Sequence, residues 1–305
     1  MNRTVRKSHK PIGIRKRNTL WGYFFLAPTI IGLLVFWAMP MLYSLLLSFT
    51  EWNIINPPKF IGPQNYVEMV KDPLVIKSLQ VTLYYTVLAV PAINIATLFL
   101  ASLLNSKIKG MSFYRTALYI PSIVPAVAAS ALWMFILNPA SGIANTILKA
   151  IGLPTSNWLF DTKTVIPSLV LIAVWSSGNT IVIYLAGLQG LPTELYEAAT
   201  VDGAGTFRKF WNITLPLLSP VVFYNIIITI INCMQTFSQG YIMTKGGPNN
   251  ASLFYMLHLY NTAFKNQQMG YACAMAWLLF VLIGILTVIN FAASKKWVYY
   301  ETGRN

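Results

Sequence analysis

Charged side chains are scarce in this sequence, and acidic ones are scarcest. Asp, Glu, Lys and Arg make up 10% of the 305 residues, and 8 residues are acidic. A soluble domain carries about 25% charged residues. Hydrophobic residues account for 56% of the chain. This composition excludes a water-soluble globule, and no polar stretch is long enough to form a separate enzyme core.

Cysteine and histidine are also rare, with two of each. Cys233 and Cys273 lie inside apolar runs with no His or carboxylate close in sequence, so we expect neither a metal site nor a disulfide. His9 belongs to a basic tail, and His258 has no carboxylate close in sequence. Acid–base catalysis is therefore not expected, and the chain is predicted to have no catalytic residues.

A phosphate-binding loop is missing as well. Gly203, Gly205 and Lys209 lie close together, but no Ser or Thr follows the lysine and no strand precedes the glycines. We therefore predict that the chain binds no ATP and holds no cofactor of its own.

The positive charge is concentrated at the start of the chain. The net charge is +14, and seven of the 22 Lys and Arg lie within the first 17 residues. The apolar stretch that follows is too long for a signal peptide and lacks a clear cleavage site, which favours a retained anchor. The charge is typical of membrane orientation and contact with anionic lipid, so we expect no binding to nucleic acid.

Six long gaps between charged residues predict six membrane-spanning helices. Each gap exceeds the roughly 20 residues that cross the hydrocarbon core, and charges are costly at the centre of a span. The predicted spans are Leu20–Phe49, Ser78–Leu104, Ala117–Leu137, Val165–Leu188, Pro216–Ser238 and Met269–Ala293.

An even number of spans places both termini on one side of the membrane. With the N-terminus inside, cytoplasmic segments hold 15 Lys and Arg and the outer loops hold 7, as the positive-inside rule requires. We therefore predict a basic cytoplasmic tail over 1–19, a membrane domain over 20–293 and a cytoplasmic C-terminal tail over 294–305.

A seventh uncharged window, 246–264, is rich in Gly, Pro, Asn and Ser and is not expected to cross. Its apolar residues recur at helical spacing, which predicts an amphipathic helix against the outer surface or against the bundle. The apolar face comprises Leu253, Met256, Leu257, Tyr260 and Phe264.

The segment 189–215, between the fourth and fifth spans, reads as two short helices. Thr193 is a candidate cap for the first helix, and Asp202 with Gly203 offers a stop where glycine tolerates positive φ. Thr206 is a candidate cap for the second helix, which leads to Pro216 and the fifth span.

This segment resembles the cytoplasmic loop of binding-protein-dependent ATP-binding-cassette (ABC) importer permeases. In that family the loop reads EAA, three residues, G, and later I-x-L-P. The matching residues are Glu197, Ala198, Ala199, Gly203, Ile213, Leu215 and Pro216. The resemblance implies an all-α integral membrane protein of the bacterial cell membrane, with a cytoplasmic coupling helix that docks on an ATPase.

The resemblance also implies the partners. These are a second, homologous permease, two ATPase subunits that bind ATP and Mg²⁺, and an extracytoplasmic sugar-binding protein. The small residues of the segment allow close backbone approach, and its acids can pair with basic groups. The predicted ATPase-coupling residues are Glu197, Ala198, Ala199, Asp202, Gly203, Ala204 and Gly205.

A looser similarity narrows the family to carbohydrate permeases of the maltose-transporter type. It rests on the outer loop from Thr244 to Pro248, on Gly270 with Tyr271, and on Trp133 near the third span. The chain lacks the large outer domain and extra N-terminal helices of the larger maltose subunit. Contacts made through those parts are therefore not implied here.

Neutral polar residues within two spans mark a candidate sugar path. Asn225, Asn232, Gln235 or Thr236, and Gln239 recur at helical spacing in the fifth span, and such a stripe is costly against lipid. Interhelical hydrogen bonding is the alternative role for each residue. The predicted substrate-binding residues are Trp175, Ser176, Asn179, Asn232, Gln235, Thr236 and Gln239.

The main alternative function is a secondary transporter or channel that works without an ATPase. Ion-driven carriers usually place ionisable residues inside the membrane, and the six predicted spans hold none. A membrane enzyme is a weaker alternative, because no cluster of carboxylates, His or Cys lies at the membrane surface. Both the spans and the loop motif favour the ABC permease.

Overall fold

A computed structural model describes residues 14–106 and 109–299, and their regular secondary structure is almost entirely helical. A two-residue antiparallel pair, β1 (Thr50–Glu51) with β2 (Lys59–Phe60), is the exception. The helices are α1 Ile14–Leu33, α2 Met39–Leu47, α3 Gln64–Lys71, α4 Pro73–Leu104, α5 Met111–Ile123, α6 Ala126–Ile136, α7 Ile143–Ala150, α8 Val165–Trp175, α9 Gly178–Gln189, α10 Thr193–Val201, α11 Thr206–Lys209, α12 Leu215–Met234, α13 Tyr255–Tyr260 and α14 Met269–Ser294.

Four continuous helical stretches are long and apolar enough to cross a membrane. Short π-helical turns join α1 to α2 and α11 to α12 within two of them. The stretches are Trp21–Leu47, Pro73–Leu104, Thr206–Met234 and Met269–Ser294. They correspond to the first, second, fifth and sixth predicted spans.

The third and fourth predicted spans are broken helices. α5 and α6 meet at 101°, and α8 and α9 meet at 50°, so the chain has six spans only if each bent pair counts as one. Pro125 explains the first break, because it disfavours a helical conformation at Val124, whose ψ is 127°. The predicted span over Ala117–Leu137 is therefore a bent pair of helices rather than one straight helix.

α4 is the central helix of the bundle and packs against α8, α9 and α12. Its buried side chains contribute to three apolar clusters. One cluster, around Tyr85 and Ala89, joins α4 to α8 and to the segment before α13. Another, around Ala101, joins α4 to α9 and α12. Both helices that flank the 189–215 segment are thus anchored on α4.

The 246–264 window packs within the bundle, so of its two predicted positions the one against the bundle is correct. The Tyr255 backbone N–H donates to Thr82 Oγ1 of α4 at 2.8 Å, and the Tyr255 hydroxyl donates to the Met275 carbonyl of α14 at 2.9 Å. Leu253 and Leu257 are buried, whereas Phe264 at the other end of the predicted face is 59% exposed. The segment therefore connects α4 to α14.

His258 in α13 should make stability depend on pH. Its Nε2 atom is buried without a hydrogen-bond partner among the described residues. Burial lowers the pKa of His258, and nearby Asp72 opposes this with a smaller effect. As the pH falls below the unfolded value of about 6.5, the unfolded chain takes up the proton first, so the folded state loses stability.

We expect the thermal midpoint of the purified protein in detergent to fall between about pH 7.5 and about pH 5.5. His258→Gln should reduce this fall, since glutamine does not titrate. The same pH dependence in both proteins would contradict the assignment to His258.

Candidate transport cavity and coupling surface

A polar cavity of about 380 Å³ lies where the broken span α8–α9 faces the end of α12. Of the seven predicted substrate-binding residues, those that line it are Ser176, Asn179, Asn232, Thr236 and Gln239. Two helices that are distant in sequence thus present their polar residues to one space.

The break between α8 and α9 supplies one wall of the cavity. The Ser176 hydroxyl donates to the Ala173 carbonyl at 3.1 Å, and the Ser177 hydroxyl donates to the Val174 carbonyl at 2.5 Å. At Gly178 an added Cβ would lie 2.9 Å from the Leu118 carbonyl oxygen. Glycine therefore allows α9 to approach α5 closely just after the break.

The end of α12 supplies the opposite wall. α12 ends at Met234, and Gln235 occupies the position after it. Asn232 and Thr236 line the cavity, whereas Gln235 is exposed and lies outside the lining. Trp175 is also outside the lining, and its ring meets that of Trp133 edge to face at 5.6 Å. The substrate roles of Gln235 and Trp175 stay predictions.

Several lining residues were not predicted from the sequence. They include Tyr85, Ser177, Thr229, Phe237 and Ser238. Phe237 begins an aromatic cluster, stacking on Tyr241 at 5.2 Å and approaching Tyr260 at 5.1 Å. Sugars bind beside such aromatic faces, so Phe237 gives the cavity an apolar surface next to its amides.

A buried hydrogen-bond network links α9 and α12, the helices on either side of the 189–215 segment, through α4. The Tyr184 hydroxyl of α9 donates to Asn94 Oδ1 of α4 at 2.7 Å. Asn94 Nδ2 in turn lies 3.5 Å from Thr229 Oγ1 of α12, at the outer limit of a hydrogen bond. Sequence spacing gave no signal for this network, because its members pair across three helices.

The coupling surface, 197–205, lies on α10 and the turn that follows it. Glu197, Ala198, Asp202, Gly203 and Gly205 are exposed, and Ala199 and Ala204 are half-buried. Gly203 has φ of +74°, as the predicted stop requires. All seven predicted coupling residues are therefore close together, and their role in docking stays a prediction.

Neither predicted threonine cap of this segment forms. α10 begins at Thr193 and α11 begins at Thr206, so Pro192 and Gly205 occupy the cap positions, without a side-chain cap. Pro192 has extended backbone at ψ of 124°, and α10 begins directly after it, one residue earlier than a cap at Thr193 would allow. The predicted pair of helices is present, with each start shifted.

Side-chain hydrogen bonds hold α10 against the entry to α12. The Tyr196 and Thr214 hydroxyls are 2.8 Å apart, and Lys209 Nζ donates to Thr200 Oγ1 at 2.7 Å. The helix from Thr206 to Met234 is continuous, so a single helix joins the contacts of α10 to the cavity wall.

Known proteins match this chain over nearly its whole length. Residues 81–298 match a family described as the binding-protein-dependent transport system inner membrane component. The chain is 41% identical over 298 residues to the probable ABC transporter permease protein YesP of Bacillus subtilis (strain 168), covering 96% of each protein.

A second relative and a solved structure agree with this match. The probable starch degradation products transport system permease protein AmyD of Thermoanaerobacterium thermosulfurigenes is 33% identical over 282 residues, covering 92% of this chain and 96% of AmyD. The fold also matches a bacterial ABC transporter involved in import of the acidic polysaccharide alginate, with a TM-score of 0.79, 23% identity and coverage of 92% and 96%. At that identity the likeness shows the fold alone. The predicted resemblance is confirmed: the chain belongs to the family of binding-protein-dependent transport system inner membrane components, the permeases of ABC transporters.

Proposed function

We propose that this chain is a permease subunit of an ATP-binding-cassette importer that carries a sugar or oligosaccharide across the bacterial inner membrane. The observation that carries the proposal is the exposed coupling surface on α10, held by hydrogen bonds to the start of α12. α12 runs from there to the polar cavity. The chain thus joins a docking surface to a path for a solute.

Exposed apolar side chains beside the coupling surface support docking to another protein. Val201 at the end of α10 is 89% exposed, and Leu195 in the same helix is 44% exposed. Together with the carboxylates of Glu197 and Asp202, they form a mixed apolar and acidic surface. Such a surface suits a groove with apolar walls and basic side chains.

The remaining parts of the importer follow from the family. In our proposal two ATPase subunits bind ATP and Mg²⁺, a second permease completes the path, and an extracytoplasmic sugar-binding protein delivers the substrate. In this proposal ATP hydrolysis takes place on the ATPase subunits, and this chain supplies the path. In this proposal α10 faces the cytoplasm, as the positive-inside rule predicts, and the predicted tails 1–19 and 294–305 lie largely outside the described residues.

A carbohydrate substrate is supported by the character of the cavity. Hydroxyls and amides from α9 and α12 lie beside the Phe237 ring, as sugar hydroxyls and a sugar face require. The relative AmyD is named for the transport of starch degradation products. A carrier or channel without an ATPase is the alternative function.

Co-purification separates the two functions. A tagged chain purified from its native cells should retain an ATPase and a second permease, and saccharide uptake into vesicles should require ATP. The isolated chain should neither bind nor hydrolyse ATP. Saccharide uptake that persists without any ATPase subunit would favour the alternative.

A further inference from the structure

We propose that the polar cavity selects uncharged saccharides over anionic ones such as uronates and sugar phosphates. This inference rests on the proposed function and specifies the substrate class of the same site. The fold leaves the choice open, because a transporter with this fold imports an acidic polysaccharide. The lining of the cavity must therefore decide it.

The lining carries no formal charge. Among the residues that the structure describes, no Lys, Arg, His, Asp or Glu lines the cavity. Lys265 lies over the ring of Tyr241, 5.8 Å from its centroid, and is outside the lining. A carboxylate or phosphate that leaves water for this cavity would find no cation among this chain's lining residues to offset its desolvation.

Four hydroxyl groups of the lining already donate their hydrogens to backbone carbonyls and so act as acceptors toward the cavity. The hydroxyl hydrogens of Ser176 and Ser177 are donated to backbone carbonyls of α8. Thr229 of α12 donates to the Asn225 carbonyl at 2.6 Å, and Thr236, just beyond the end of α12, donates to the Asn232 carbonyl at 3.3 Å. Each oxygen is left with lone pairs for an incoming donor.

This arrangement distinguishes the two solute classes. Each hydroxyl of a neutral sugar brings a donor hydrogen that an acceptor oxygen can bind. A carboxylate or phosphate group brings only acceptors, which face the lone pairs of these four hydroxyls, so its side-chain donors are limited to the uncharged amides and the other hydroxyls of the lining. The lining therefore favours solutes rich in O–H groups.

The N-termini of two helices border the cavity, and their positive partial charge favours an anionic solute instead. α6 begins at Ala126 and α9 begins at Gly178, next to Asn179 of the lining. A helix start carries about half an elementary charge. That is less than an ammonium or guanidinium group supplies, and it also suits the oxygen of a neutral hydroxyl. The lining as a whole still favours a neutral solute.

The test compares uptake of matched saccharides by the complete importer in vesicles. The probes are oligosaccharides of equal length, one built of neutral hexoses and one of the corresponding uronic acids, each delivered by the binding protein. The wild type should prefer the neutral member by at least about tenfold. Asn232→Lys places a cation in the lining and should lower that preference by about tenfold, since charge-assisted bonds to a carboxylate are strong.

Asn290→Lys is the matched control. Asn290 lies in α14 outside the lining, and its amide donates to the Leu286 carbonyl of its own helix. This variant should keep the wild-type preference. If Asn232→Lys does not assemble, Asn179→Lys in the opposite wall makes the same test, with the assembled complex quantified for each variant.

Equal or faster uptake of the uronate by the wild type would overturn the inference and leave the proposed function intact. A neutral preference that neither lysine variant in the lining changes would also overturn it, because selection would then lie outside this cavity. If no saccharide is taken up with ATP, the proposed function fails together with the inference.

Discussion

Replacing Gly270 by alanine should strongly reduce the yield and stability of the assembled protein. An added Cβ at Gly270 would lie 2.0 Å from the Thr50 carbonyl oxygen and 3.2 Å from the Trp52 nitrogen. Both neighbours are backbone atoms of β1 and its exit, so no side chain can rotate away. The Gly270 N–H also donates to the Trp52 carbonyl at 3.2 Å.

Relief of this clash requires the start of α14 to move away from β1. Overpacking of this kind costs about 1–3 kcal/mol, and loss of the Gly270–Trp52 hydrogen bond adds to the cost. A native domain is stable by about 5–15 kcal/mol in total. We therefore expect a clear fall in thermal midpoint and in the fraction of monodisperse protein.

Gly284→Ala provides the matched control. Gly284 lies in the same helix, and an added Cβ there meets no atom within 4 Å. Alanine is a better helix former than glycine by about 1 kcal/mol, so this variant should be as stable as the wild type or more so. Equal stability of the two variants would show that the α14–β1 contact does not require glycine.

The sequence predicted where helices cross the membrane better than it predicted their shape. Gaps between charges locate apolar stretches, because the cost of a buried charge is large compared with other local preferences. A gap contains no information on bends. The 101° break after Ile123 depends on Pro125, and the 50° break after Trp175 falls where Ser176 and Ser177 donate to the backbone of α8.

The polar stripe of the fifth span was predictable only as far as the helix continues. Helical spacing correctly brought Asn232 into line with Thr236, but α12 ends at Met234 and Gln235 turns away. Asn225 is buried at 2% exposure rather than open to the cavity. Asn94 and Tyr184 gave no signal, because their pairing depends on how three helices pack.

Reversing the charge of Glu197 should reduce ATP-driven transport by more than about tenfold while leaving the membrane fold unchanged. Glu197 is exposed on α10, so the substitution should not disturb folding. If the carboxylate pairs with a basic group of the ATPase on docking, a lysine there brings two like charges together. Disruption of a buried charge pair at an interface costs about 2–5 kcal/mol, and about 1.4 kcal/mol is a factor of ten in affinity.

Glu194→Lys makes the same change of charge one helical turn earlier and serves as the control. Glu194 lies in the first turn of α10, outside the 197–205 coupling surface, so its reversal should affect transport much less. The measurements are retention of the ATPase on the purified permease and ATP-dependent uptake at equal permease levels. Loss of uptake in both variants would indicate a general electrostatic effect of the loop. Normal ATPase retention and uptake with Glu197→Lys would exclude this carboxylate from the docking contact, because a like-charge contact inside the interface would have weakened both.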